Sequence, residues 1–68
     1  MCQATVYVLE DGARKEVLRE VTRLVPVEGG VRLERFFEEP YTIAGQIVEI
    51  DFLKHTIYIA PTQESGKE

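Results

Sequence analysis

The chain of 68 residues has only one cysteine, one histidine and no tryptophan. A single cysteine excludes a disulfide within the chain, although so short a chain is expected to be only marginally stable. A metal ion or a partner subunit is the usual alternative source of stability. The sequence also lacks an apolar run near the roughly 20 residues of a membrane span, and it lacks an export signal. We therefore expect a cytoplasmic protein with no membrane segment, whose thiol stays reduced.

Basic residues are also scarce. Eight Lys and Arg residues face twelve Asp and Glu residues, which gives a formal net charge of −4. Nucleic-acid binders depend on cations that neutralise phosphates, so this balance disfavours such a partner without excluding a local basic patch. The chain has no nucleophile and base pair, phosphate-binding loop or CxxC motif, so we do not expect an enzyme.

The remaining composition, 44% apolar and 29% charged, is typical of one small folded domain. We assign this domain to residues 1–61. Residues 62–68 are polar and rich in Gly, Ser and Glu, and we expect a disordered tail there.

Alternating side chains predict a first strand over residues 3–9, with Ala4, Val6 and Val8 on one face. Asp11-Gly12 favours the tight turn of a hairpin. Residues 15–19 and 21–27 then predict two strands with a bend near Glu20. A helix over residues 13–25 is the alternative, because the apolar positions also fit a helical stripe.

Turn signals separate the later strands. Glu28-Gly29-Gly30 predicts a second hairpin, and Gly45 predicts a bend that lets the extended run 41–53 serve two neighbouring strands. Residues 56–60 predict the final strand. The pattern indicates an all-β protein, an antiparallel meander rolled into a barrel of five or six strands. An N-terminal strand at a sheet edge would allow dimerisation by pairing with its own copy.

Cys2 is the main candidate for chemistry. Removal of Met1 would leave the α-amine, the thiol and the Gln3 amide within one residue of each other. A thiolate and an amine of one residue close a five-membered ring on a thiophilic divalent ion. The alternative is that Cys2 is a small apolar side chain in the first strand.

Two further features have simpler explanations. His55 lies in a predicted turn, and no other histidine or cysteine is spaced to form a site with it, so we interpret it as an exposed turn residue. A second hypothesis is a small RNA-binding β-barrel, with aromatic platforms beside a basic cluster. The cluster consists of Arg14, Lys15, Arg19 and Arg23, and the aromatic residues are Phe36, Phe37 and Tyr41.

Several segments resemble the CooT family, the small nickel-binding accessory proteins of carbon monoxide dehydrogenase maturation. They are the start MCQATVYV, the segment EVLREV at 16–21, the hairpin EGGVRL at 28–33 and the closing run IVEIDFLKHTIYI at 47–59. The most specific is the Met-Cys start. The chain departs from the family pattern near Phe37-Glu38-Glu39, where a glycine is expected and none is present.

The resemblance implies a homodimer of SH3-like barrels with one Ni(II) ion shared at the interface. It implies Cys2 as the thiolate ligand, and we add the neighbouring amide of Gln3. Carbon monoxide dehydrogenase or its maturation factors are the implied partners. Members of the family also carry the description of predicted RNA-binding proteins, which matches the second hypothesis.

Overall fold

The structure, a computed structural model, describes residues 3–62. It contains seven strands and no helix within that range, which confirms the all-β prediction. The strands are β1 (Ala4–Glu10), β2 (Ala13–Val21), β3 (Arg23–Val27), β4 (Gly30–Glu34), β5 (Tyr41–Ile43), β6 (Gly45–Asp51) and β7 (Thr56–Pro61).

The strands form two sheets. One has four strands in the order β2-β1-β7-β6, and the other has three in the order β3-β4-β5. Three features differ from the prediction. Seven strands replace the expected five or six, β1 and β7 run parallel, and the two sheets do not close into one hydrogen-bonded barrel over residues 3–62.

The core lies between the inward faces of the two sheets. Val6, Val31, Leu33 and Ile59 are its largest fully buried side chains. Val6 and Ile59 come from the four-stranded sheet, and Val31 and Leu33 come from the three-stranded sheet. The period-2 pattern of residues 3–9 therefore identified the inward face of β1 correctly.

The predicted hairpin turns are present. Glu10 pairs with Ala13 across Asp11 and Gly12, and both turn residues have positive φ, 50° and 77°. Two positive φ angles in a two-residue loop match the twist of the flanking strands.

Residues 13–27 form two strands, so the helix alternative is wrong. The break lies at Thr22, and Glu20 just before it has a φ of 59°. The spacing of the apolar residues fits both a strand and a helix. Strand pairing decides in favour of the strands, because β2 is hydrogen-bonded to β1 through the Asp11-Gly12 hairpin and β3 is hydrogen-bonded to β4.

Gly45 is where the chain passes from one sheet to the other, as predicted. β5 pairs with β4, whereas β6, which begins at Gly45, pairs with β7. A Cβ atom at Gly45 would lie 2.5 Å from the carbonyl oxygen of Ala60. Only glycine allows the two backbones to approach this closely.

The predicted edge position of the first strand is wrong. β1 lies between β2 and β7 and is hydrogen-bonded on both sides. The sequence could not show this, because the second neighbour of β1 comes from the other end of the chain. A second copy therefore cannot extend the sheet by pairing with β1.

Two sequence predictions concern residues outside the described range. These are the ligand Cys2 and most of the predicted disordered tail. β7 ends at Pro61, and the amide of Thr62 donates a hydrogen bond to the carbonyl oxygen of Ala44 at 3.0 Å.

Candidate metal centre at the N-terminal end

The parallel pairing of β1 and β7 determines what surrounds the start of the chain. Thr5 lies opposite Thr56, so both strands begin at the same end of the sheet. The amide of Thr5 donates to the carbonyl oxygen of His55 at 2.9 Å. Residues that precede the two strands, Gln3 and His55 among them, are therefore brought together although 52 positions separate them.

Gln3 and His55 line the same groove, which has a volume of about 200 Å³. Its walls are mainly apolar and include Leu24, Ile50 and Phe52. Gln3 and His55 are themselves exposed. The predicted ligand Gln3 is thus accessible to a metal ion or a partner, and the predicted turn position of His55 is confirmed.

Gln3 also lines a second, smaller hollow of about 70 Å³. It is lined by Gln3, Glu20, Arg35, Phe36 and Glu38. Arg35 and Glu38 form an ion pair at 3.8 Å. Gln3 therefore lines both an apolar groove and a hollow whose walls are charged, polar and aromatic. The aromatic wall is the exposed ring of Phe36.

Non-glycine residues with positive φ are concentrated at this end of the fold. Among residues 3–62, four non-glycine residues have positive φ. Three of them line the groove or the hollow or lie directly beside a lining residue: Glu20 at 59°, Phe37 at 63° and His55 at 56°. Side chains other than Asn, Asp and His seldom adopt this conformation, so Glu20 and Phe37 are the unusual cases. Phe37 is also where the family pattern led us to expect a glycine, so the loop keeps a glycine-like backbone shape without the glycine.

The turn before His55 is held by Asp51. Its Oδ1 atom accepts hydrogen bonds from the amides of Leu53 at 3.0 Å and Lys54 at 3.1 Å. Such a side-chain cap fixes a tight turn. Phe52 and Leu53 project from it and are 81% and 94% exposed.

Sequence reasoning missed that His55 lies beside Gln3. The parallel β1–β7 contact that causes this joins the first and last strands of the chain and has no local sequence signal. Within residues 3–62, no group of three or more His, Cys, Asp or Glu side chains is arranged to hold a metal ion.

The basic cluster of the RNA hypothesis is engaged in contacts within the protein. The Arg14 guanidinium lies 4.7 Å from the centre of the Tyr58 ring. The acidic partners of the other cations are Glu10 for Lys15, Glu16 for Arg19 and Glu34 for Arg23. A hydrogen bond to Glu16 raises the pKa of Arg19 above its ordinary value. These contacts within the protein give no support to RNA binding by the basic cluster.

Tyr58 is buried although the alternation places it on the face opposite the core. Its ring stacks on Tyr7 with centroids 5.5 Å apart, and Arg14 covers it. The outer face of the four-stranded sheet is therefore partly closed by an aromatic pair and a cation.

The family assignment comes from comparison with known proteins. The family model described as "CooT: CO dehydrogenase accessory protein CooT" matches residues 1–60. The chain belongs to the CooT family.

A solved structure agrees with this assignment at the level of the fold. It is described as the crystal structure of putative CooT from Carboxydothermus hydrogenoformans. The CooT chain described above matches it with a TM-score of 0.81 and 24% identity, over 91% of its own length and 100% of the other chain. No curated protein matches the sequence.

CooT proteins are accessory proteins of CO dehydrogenase, which agrees with the expectation that this chain is not an enzyme. No helix within residues 3–62 has the length and apolar character needed to cross a membrane.

Proposed function

We propose that this CooT protein binds Ni(II) through Cys2 and Gln3 at the interface of a homodimer and supplies the metal for maturation of CO dehydrogenase. The family assignment supports the accessory role. The observation that supports the metal proposal is the position of Gln3. Its side chain is exposed at one end of the fold and lines two hollows. The residue that precedes it in the chain is the only cysteine.

The donor chemistry suits nickel. With Met1 removed, the amine and thiolate of Cys2 can close a five-membered chelate ring on the metal ion. The amide of Gln3 contains the next backbone nitrogen along the chain. Thiolate and nitrogen donors in a square plane are a set that Ni(II) accepts. The thiolate must be deprotonated, so binding releases protons and strengthens as pH rises.

One chain provides an incomplete set. The donors of one chain fill two or three of the four positions of a square plane, and the donors of a second copy complete it. A two-fold axis is the commonest symmetry of protein oligomers and would relate the two half-sites. The proposed cargo is therefore one nickel ion for two chains.

The experiment is a nickel titration of protein whose Met1 removal has been verified by mass, followed by ultraviolet absorption. We expect a thiolate-to-nickel charge-transfer band in the natural protein and none in Cys2→Ser. Because Cys2 is the only cysteine, any such band must come from it. Absence of the band in the natural protein, or equal nickel affinity of Cys2→Ser, would refute the metal site.

A second measurement tests the accessory role. Nickel-loaded natural protein should activate nickel-free CO dehydrogenase in the presence of a chelator that removes free nickel. Cys2→Ser treated in the same way should not. Equal activation by both proteins would show that delivery does not depend on this site.

A further inference from the structure

Asp51, the last residue of β6, has a carboxylate that the proposed function does not use. Its Oδ1 atom accepts hydrogen bonds from the amides of Leu53 at 3.0 Å and Lys54 at 3.1 Å. Both amides belong to the loop of residues 52–55, which joins β6 to β7. An aspartate that accepts hydrogen bonds from amides two and three residues further on fixes the path of a turn. Asp51 therefore stabilises one conformation of this loop.

The loop ends at His55, which has a φ of 56°. Histidine tolerates this left-handed conformation, whereas a β-branched residue adopts it only as an outlier. The backbone angles of His55 set the direction of its carbonyl group, whose oxygen accepts a hydrogen bond from the amide of Thr5 at 2.9 Å. The loop conformation therefore decides whether this bond to the start of the chain can form.

The bond between Thr5 and His55 supports β1 where its other support is irregular. On the β7 side it begins the parallel pairing, in which Thr5 lies opposite Thr56. On the β2 side the register shifts between Ala4 and Val6, so the pairing is interrupted at the same point. The position of the starting segment therefore depends on the contact with His55.

This segment is the one that carries the proposed metal donors. Gln3 precedes Thr5 by two positions and Cys2 precedes it by three. Gln3 also lines the larger groove together with Asp51 and His55. A change in the loop of residues 52–55 is thus transmitted to the donors through a single backbone hydrogen bond.

We propose that Asp51 is a positioning residue for the nickel half-site. By capping the loop, it holds the His55 carbonyl oxygen against the Thr5 amide and so fixes the segment that precedes β1. The inference rests on the proposed function, because it is nickel binding that this segment is fixed for. A chelating segment that is already ordered loses less conformational entropy when the metal binds, so its affinity is higher.

The contacts of Asp51 favour this role over direct coordination. Its Oδ1 atom is engaged by two backbone amides, and the residue is half-buried. Within residues 3–62, no three side chains of His, Cys, Asp or Glu are arranged to hold a metal ion, although Asp51 and His55 line one groove. The carboxylate therefore acts on its own loop.

The test compares two substitutions of Asp51 that differ only in the ability to cap the loop. Asp51→Ala removes the acceptor. Asp51→Asn keeps an oxygen that can accept the same amide hydrogen bonds and loses the negative charge. The matched control is Glu49→Ala, which removes an exposed carboxylate from the same strand.

The first measurement is hydrogen exchange of the Thr5 amide in metal-free protein, followed by NMR. Asp51→Ala should exchange about tenfold faster than the natural protein, in line with the loss of hydrogen bonds to a charged acceptor. Asp51→Asn should stay within about threefold of the natural protein, and Glu49→Ala should not differ from it. This measurement reports the loop contact without any metal.

The second measurement is the nickel titration of the same proteins by charge-transfer absorption. Asp51→Ala should raise the nickel dissociation constant about 3- to 10-fold, because the apparent constant rises as the fraction of chains in the binding conformation falls. Asp51→Asn should restore the natural affinity. If Asp51→Ala fails to fold, His55→Val tests the same link, since it disfavours the positive φ, and His55→Asn is its tolerant control.

Three results would overturn the inference. One is a nickel affinity of Asp51→Ala equal to that of Glu49→Ala. Another is loss of nickel binding in both Asp51 variants with natural exchange at Thr5, which would make the carboxylate a ligand. A natural protein without a charge-transfer band would refute the metal site as well. A band in the natural protein with equal affinities in the variants refutes only the positioning role.

Discussion

The amide of Thr5 donates a hydrogen bond to the carbonyl oxygen of His55 at 2.9 Å and so joins the start of the first strand to the start of the last. This contact begins the parallel register in which Thr5 lies opposite Thr56. It places Gln3, His55 and the Phe52 turn at one end of the protein. The candidate metal centre is a consequence of this single parallel pairing.

Leu33 should be essential for stability. It is fully buried between the two sheets, so Leu33→Ala removes core contacts and leaves a cavity. We expect a loss of about 2–5 kcal/mol in the free energy of unfolding. Val48→Ala, at a site that is 52% exposed, should change it by less than about 0.5 kcal/mol. Urea denaturation followed by circular dichroism measures both, and equal losses would contradict the described core.

Gly45→Ala should destabilise the fold at the point where the chain changes sheets. The new Cβ atom would lie 2.5 Å from the Ala60 carbonyl oxygen and 2.9 Å from Cγ2 of Ile59. We expect a loss of about 1–3 kcal/mol or more, because backbone must move to relieve the clash. Gly29→Asn is the matched control, since its surroundings are open and asparagine tolerates positive φ. Thermal melting that ranks the control below Gly45→Ala would disprove the close approach.

An extension of the N-terminus should weaken nickel binding even though Cys2 is retained. One added residue in front of Cys2 converts its α-amine into an amide and opens the five-membered chelate ring. We expect the nickel dissociation constant to rise at least about tenfold, because loss of a mere outer-shell partner of a metal ligand already costs roughly 10- to 100-fold in affinity. The control carries the same residue added after Glu68 and should bind nickel with unchanged affinity. Equal affinities by isothermal titration would exclude the amine as a donor.

His55→Asn should retain nickel binding. The Cys2 and Gln3 donors of two chains are enough to complete a square plane, so the neighbouring imidazole is not required. Asparagine tolerates the φ of 56° at this position, and we expect a stability change below about 0.5 kcal/mol. Titration with absorption detection checks the binding. Loss of the charge-transfer band in a folded His55→Asn protein would identify His55 as a ligand instead.

The sequence predicted the local features of the fold well. Alternation identified the buried residues of β1, and Asp11-Gly12 and Gly45 marked the turn and the change of sheet. These predictions succeed because each depends on side chains or backbone angles within a few residues. The helix alternative for residues 13–25 could be decided only by strand pairing.

Long-range relationships were not predictable in the same way. The parallel β1–β7 pairing, the internal position of β1 and the proximity of His55 to Gln3 join distant parts of the chain. For the candidate site, the sequence and the family resemblance named Cys2 and Gln3, and the structure added the groove, the hollow and the exposed rings around Gln3.

The most direct test of the central claim is native mass spectrometry of the nickel-loaded protein. We expect a species of two chains, each without Met1, that holds one nickel ion. The Cys2→Ser protein should carry no nickel. The measurement reports N-terminal processing, oligomeric state and metal content on the same molecule. A single 7.8 kDa chain with its own nickel ion, or a dimer that takes up no nickel, would contradict the account.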